Sequence, residues 1–295
     1  MYFKVGVTCA VAAPAGVPFP LVNPDIYRTV DFLADHGFDS IELHLQKPSD
    51  VDGAKIKEYC AQKGIMISSI GTGMAYGGEG LSITSPDEDV RRRAVKRLKD
   101  QLDLASELEC SIVIGSMRGV IPDGETKAVI DERLLEACKE LCDYAEHGRG
   151  SIVIEAIDRF ETNYLRTAEE VMEIIGWTGS DKLSVHLDTY HMNMEEQDWK
   201  KPVLLCGDRL RHVHVADNNR NYPGWGLIDF KPFLEALDEI GYDQTLTLEC
   251  YPVPDGETAV TRGLACLRGL MSENDCIKMG AYGPHIFAIY LKARN

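Results

Sequence analysis

Short apolar runs of four to six residues recur along the chain, and the longer stretches between them carry apolar residues at helical spacing. That alternation predicts strands over 3–8, 40–45, 65–70, 111–115, 151–155, 183–188, 212–215 and 245–249. The first helix is expected to start near Pro24, with Ile26, Val30, Phe32 and Leu33 on its apolar face and Gly37 as its stop. Further helices are predicted over 52–63, 125–146, 167–175, 201–206 (short, after a loop) and 230–240, with a last one from Glu257. The longest is expected to open on Ser85 as N-cap, with Pro86 in its first position and Asp87 and Glu88 in its first turn. It carries Val95, Leu98, Leu102 and Leu104.

Eight βα units without a linker predict an α/β fold, a single-domain (β/α)8 TIM barrel over 1–274, which the 295 residues can fill. A short C-terminal extension, 275–295, fits no ninth unit and is expected to serve packing or dimer contact. The glycine-rich stretch 71–80 is too long for a βα turn and matches neither phosphate-binding glycine motif, so a mobile wall over a substrate is expected.

Parallel strands with helical crossovers put all their C-terminal ends on one face, where barrel active sites are built. Four candidate ligands sit at or one residue from such ends: Glu155, Asp188, His214 and Glu249, successively 33, 26 and 35 positions apart. One glutamate ending a strand is most often a solvated loop acid, whereas four ligands in phase point to a divalent-metal site. Three carboxylates and an imidazole make a hard, oxygen-dominated donor set, better suited to Mn2+ or Mg2+ than to the thiolate-rich coordination of structural zinc. His212 and His214 flank Val213, and one of them is expected to face the interior. The same choice is posed by Glu42 and His44 on the second strand. His186 is expected to be a buried, hydrogen-bonded core histidine. Arg118 after the fourth strand could hold a substrate anion or serve structure, and Trp225 could stack on a sugar or pack its loop.

Acidic residues outnumber basic ones 47 to 31, for a formal charge of −16, which disfavours a nucleic-acid backbone or an anionic membrane as partner. A small neutral substrate is easier to accept, although a local basic pocket could still hold a phosphate. The nine cysteines form no C-x-x-C pair, and no run approaches eighteen apolar residues, so a reduced, cytoplasmic setting is expected. A homo-oligomer or a complex with a second subunit is expected.

The segments EAIDRFE (155–161), LDTYHMN (187–193), HVHVADNNR (212–220) and LE (248–249) resemble those of the xylose-isomerase-like barrels, most closely D-tagatose and D-psicose 3-epimerases. The resemblance is strong over the C-terminal half and holds in outline over the N-terminal half. It implies that Glu155, Asp188, His214 and Glu249 hold one Mn2+, Mg2+ or Co2+ ion, Mn2+ foremost, that Glu155 and Glu249 double as acid and base, and that Glu161, His191 and Arg220 bind substrate oxygens. His214 is preferred to His212 because Arg220 follows it at the spacing the family shows. Asp158 stands where the family usually has asparagine, and Arg166 where an asparagine often precedes Thr167.

The implied reaction is epimerisation or isomerisation of an unphosphorylated ketose or related polyhydroxy carbonyl compound. A cation bridging the carbonyl and adjacent hydroxyl would stabilise an enediolate, while carboxylates remove and return the proton. Alternatives keep the site and change the outcome: a lyase or dehydratase acting on a 3-oxo sugar, inosose or C-glycoside, or a non-catalytic sugar-binding subunit. A DNA endonuclease on this fold is disfavoured by the charge and by the lack of extra histidine-rich ligands.

Overall fold

The computed structural model describes residues 1–278. Eight parallel strands form the barrel: β1 (Lys4–Ala10), β3 (Ser40–His44), β4 (Met66–Gly71), β5 (Ser111–Ile114), β6 (Ser151–Glu155), β7 (Leu183–Asp188), β8 (Leu210–Val215) and β9 (Thr245–Leu248). Pairing of β9 with β1 closes it, and the two-residue β2 (Leu21–Val22) runs parallel to the end of β1. The extension beyond Lys278 lies outside the described residues. Over 275–278 the backbone continues the last helix, α10 (Gly256–Lys278), across the expected boundary at residue 274. Among the described residues no helix is long and apolar enough to cross a membrane.

Local chemistry sets the helix ends. In α1 (Ile26–Asp35) the buried residues Ile26, Val30 and Leu33 lie on one face, and Gly37 adopts φ 78° just past the end. Asp52 caps α2 (Gly53–Lys63) by accepting from the Lys55 amide, and Gly64 ends it at φ 71°. The 21-residue α4 (Glu88–Leu108) starts later than the serine signal suggested. Asp87 is its N-cap, accepting from the Asp89 amide, while Ser85 Oγ accepts from the Asp87 amide in the preceding turn. Thr167 and Glu170 form a reciprocal capping box at the start of α6 (Ala168–Thr178). The outer ring continues with α5 (Lys127–Ala145), α8 (Lys201–Cys206) and α9 (Lys231–Glu239).

Two short helices replace expected loops. The glycine-rich stretch is not a loose wall: residues Gly73–Glu79 form α3. Glycines at 73, 77 and 78 weaken such a helix by roughly 1 kcal/mol each relative to alanine, so its fixation comes from outside. Arg97 of α4 pairs with Glu79 at 3.0 and 3.1 Å and donates to the Gln46 carbonyl at 2.6 Å. After β7, α7 (Thr189–Glu195) begins directly on Asp188, whose carboxylate accepts from the Tyr190 amide at 2.7 Å.

Successive strand residues face opposite ways. Outward positions such as Ile41, Leu43, Ile152, Ile154, Leu187 and Val213 join the helices in one apolar core. Inward positions are largely polar: Ser40, Glu42 and His44 on β3, His186 and Asp188 on β7, His212 and His214 on β8, Thr245 and Thr247 on β9. β3 and β8 are separated by β1 and β9, yet Glu42 bonds both histidines of β8, so these side chains meet across the lumen.

Candidate active site

The lumen widens, at the C-terminal ends of the strands, into a cavity of about 500 Å³. Glu155, Glu161, His191, His214, Arg220 and Glu249 line it, while the loop after β1, with Phe19, and α3 form other parts of its wall. Glu155, Asp188, His214 and Glu249 are all buried, and each offers one ligand atom within 4.8 Å of the others'. The expected four therefore converge.

Two details of this cluster suit a cation. His214 Nε2 donates to Glu42 at 3.0 Å, leaving Nδ1 without a hydrogen-bond partner, 3.5 Å from Glu249 Oε2 and 4.0 Å from Glu155 Oε1. Asp188 spends Oδ1 on the Tyr190 amide, and its buried Oδ2 is likewise unpartnered. Buried polar atoms are normally satisfied. Buried atoms left unpartnered among the described residues, in a set of three carboxylates and one imidazole, fit a divalent ion, with Nδ1 as ligand of the neutral ring.

The two glutamates are driven apart electrostatically. Burial pushes the Glu155 carboxyl up to about 7, with the charges of Glu249 and Asp188 adding to the rise and His191 and His214 opposing it. Burial raises Asp188 as well. Glu249 is equally buried, yet His214 and Arg220 outweigh that burial and hold it below the usual carboxylate range. Gly115 makes room for this arrangement, because a Cβ there would stand 2.7 Å from Glu155 Oε2.

The substrate-binding candidates divide. Arg220, on a backbone at φ 59°, bridges Glu161 and Glu249, the latter at 3.0 Å, with its guanidinium 4.7 Å over the Tyr190 ring. His191 lies on α7 with Nε2 3.8 Å from Glu155 and 3.9 Å from Asp188, and its Nδ1 is 2.6 Å from Asp158. Asp158, the residue in place of the family asparagine, thus orients His191 and also accepts from the Phe160 amide at 2.7 Å. Burial disfavours charge on His191, but Asp158 and Asp188 outweigh it and raise its pKa.

Arg118 and Trp225 are not brought to the cavity. Arg118 is fully buried and donates to the backbone carbonyls of Gly115, Tyr164 and Leu165, so the structural option holds and no anion can reach it. Trp225 is half-exposed and packs edge-on against Tyr222, which makes it a loop-packing residue.

The expectation that only one of each histidine or glutamate pair faces inward is wrong for both strands. Residues two apart share a face, and the structure shows both Glu42 and His44, and both His212 and His214, buried and joined to one another. His186 is buried as expected but not hydrogen-bonded: neither ring nitrogen has a partner, and the ring packs edge-on against His212 and His214. Burial, with the neighbouring imidazoles, keeps it neutral.

A closed parallel barrel with a buried acid and histidine cluster at its C-terminal mouth defines a class of barrel whose chemistry is built at strand ends. The chain belongs to the xylose isomerase-like TIM barrel family, whose model matches residues 30–270. It is 28% identical to a ketose 3-epimerase of Arthrobacter globiformis over 262 residues, 87% of this chain and 88% of that one. It is 29% identical to an L-ribulose 3-epimerase of Mesorhizobium japonicum, over 85% of this chain and 84% of the relative. A solved D-allulose 3-epimerase from Methylomonas sp. superposes with a TM-score of 0.76 at 25% identity, covering 92% of this chain and 100% of the other.

Proposed function

We propose that the chain is a cation-dependent ketose 3-epimerase acting on an unphosphorylated ketose. The carrying observation is the convergence of Glu155, Asp188, His214 and Glu249, three of which (Glu155, His214 and Glu249) line the cavity, with His214 Nδ1 and Asp188 Oδ2 unpartnered among the described residues. The relatives, named as epimerases of ketoses and of L-ribulose, favour this outcome over the lyase and over a non-catalytic subunit. Glu155, Asp188, His214 and Glu249 would hold a divalent cation, Mn2+ by this mixed carboxylate and imidazole donor set, which would supply Lewis acidity to the substrate carbonyl.

The chain's own residues supply the rest. Glu155 and Glu249 end β6 and follow β9, so they approach a substrate between them from separated strands. One takes the proton from the carbon beside the carbonyl and the other returns a proton to its opposite face, which inverts that carbon. Arg220 keeps Glu249 ionised and, with Glu161 and His191, offers contacts to substrate oxygens. Among the described residues Arg220 is the one Lys or Arg side chain lining the cavity, and two carboxylates already hold it. That leaves little to recompense a phosphate.

The test is turnover of ketoses such as D-psicose and L-ribulose in D2O with added Mn2+. The expected result is the 3-epimer with deuterium at C3. Repeated turnover with protium retained at C3, or a product of elimination, would overturn the reading.

A further inference from the structure

Beneath the candidate ligands the lumen holds a further carboxylate that the proposed chemistry does not use. Glu42 is fully buried at an inward position of β3. Among the described residues no lysine or arginine bonds it. Its donors are Ser69 Oγ at 2.7 Å and three imidazoles: His44 Nε2 at 2.8 Å to Oε1, and His212 Nε2 at 2.5 Å and His214 Nε2 at 3.0 Å to Oε2. Burying a carboxylate is costly unless it is fully hydrogen-bonded, so a residue placed here without a charged Lys or Arg partner needs these histidines.

The arrangement has a direction. Because a carboxylate only accepts, each of these nitrogens must present its N–H to Glu42. For His214 this puts a proton on Nε2 and turns Nδ1 toward Glu155 and Glu249, so that Nδ1 is the nitrogen left to a cation once the ring is neutral. For His44 it sets the ring at the cavity wall, stacked 4.0 Å from the Phe19 ring centroid, with Nε2 3.9 Å from Glu249 Oε1. Ser69 faces Glu42 across the β3–β4 ladder at a register shift between Ile41 and Glu42, which aligns the hydroxyl with the carboxylate.

We propose that Glu42 is a positioning residue of the cation centre: from across the barrel it locks His214 in the tautomer whose Nδ1 faces the other ligands, and it holds His44 beside Glu249. The proposal rests on the reading of Glu155, Asp188, His214 and Glu249 as ligands. His212 shares the same carboxylate oxygen and buttresses the lock.

Glu42→Gln keeps the side-chain shape but cannot accept from imidazoles on both sides, since one of its two heads is an amide donor. Mn2+ binding to the full chain, followed by calorimetric titration without substrate, should weaken 10- to 100-fold, the usual range for loss of such an outer partner. The metal-free variant should melt as one cooperative transition. Binding within threefold of wild type would overturn the proposal, whereas failure of the wild type to bind Mn2+ would overturn the ligand reading instead.

A measurement on the unaltered protein covers the case in which Glu42→Gln does not fold. In the Mg2+-loaded, 15N-histidine-labelled chain, the His214 signal should show a protonated Nε2 and a coordinated Nδ1. Coordination through Nε2 would refute the lock. Rescue by Glu42→Asp should be partial, because the shorter stem keeps two acceptors but withdraws them from the far side of the lumen.

Discussion

Replacing Arg118 by methionine should damage stability and leave substrate binding alone, the reverse of what a substrate ligand would do. The guanidinium makes four hydrogen bonds to three carbonyls: Nη1 to Gly115 at 3.0 Å, Nε and Nη2 to Tyr164 at 3.2 and 2.9 Å, and Nη2 to Leu165 at 3.1 Å. Bonds from a charged donor contribute about 1.5 kcal/mol each at the low end, so roughly 6 kcal/mol is lost. The low end applies because each carbonyl keeps another donor: the Gly115 oxygen takes the Arg118 amide, the Leu165 oxygen takes the Ile157 amide, and the Tyr164 oxygen takes Thr162 Oγ1. Against this, methionine relieves the burial of a cation. That burial drags the arginine pKa down to about 10, a penalty on the order of 3 kcal/mol. The difference leaves Arg118→Met less stable by about 3 kcal/mol, a large part of a typical 5–15 kcal/mol total. Urea unfolding by circular dichroism measures it, with KM for a ketose taken well below the melting temperature. A variant as stable as wild type but with KM raised tenfold would refute the structural assignment.

Saturation with Mn2+ at about 100 times its dissociation constant should stabilise the fold by about 2.7 kcal/mol, or about 5 °C of melting temperature in a chain this size; His214→Ala, which deletes a donor outright, should remove most of that increment, and a metal-insensitive wild-type melt would sink the ligand assignment. Glu155→Gln should lower kcat by roughly 100-fold or more while reducing Mn2+ affinity far less, since it keeps an oxygen ligand and loses the base; full retained activity would take Glu155 out of the mechanism. Gly115→Ala drives a methyl to 2.7 Å from Glu155 Oε2, so Mn2+ affinity should fall with the circular dichroism spectrum unchanged, and unaltered affinity would contradict the close approach. Arg97→Ala removes the pairing that holds α3, so amide exchange should quicken across Gly73–Glu79, as read by mass spectrometry, and unchanged protection would show that the helix stands without it.

The barrel was legible because buried strands and amphipathic helices write different periods into sequence, and eight alternations leave few other topologies. The convergence of the four candidate residues was legible for a related reason: strand ends on one face turn a spacing of one βα unit into proximity. What escaped depended on partners outside the local window. Nothing within 71–80 announces a helix, since its fixation comes from Arg97, seventeen residues beyond. α7 was hidden because its N-cap is Asp188, a residue whose position at a strand end already accounts for it. Arg118 stands after a strand, as a ligand would, and only the fold shows Tyr164 and Leu165 receiving it.

The interior histidines mark where sequence reasoning had the information and misused it. Residues two apart on a strand share a face, so Glu42 with His44, and His212 with His214, had to point inward together. The periodicity alone therefore predicts a polar lumen beneath the site. What it could not give is the pairing across that lumen, because Glu42 and His212 stand 170 residues apart on strands that are not neighbours. A polar interior is costly where an apolar one would be stable, and half-satisfied networks are worse than none. Here one carboxylate collects four donors, while among the described residues His44 Nδ1, both His186 nitrogens, His214 Nδ1, Asp188 Oδ2 and Thr247 Oγ1 remain unpaired. The network is thus complete on the side that orients His214 and open on the side facing Glu155 and Glu249, which is the asymmetry a cation-binding centre needs.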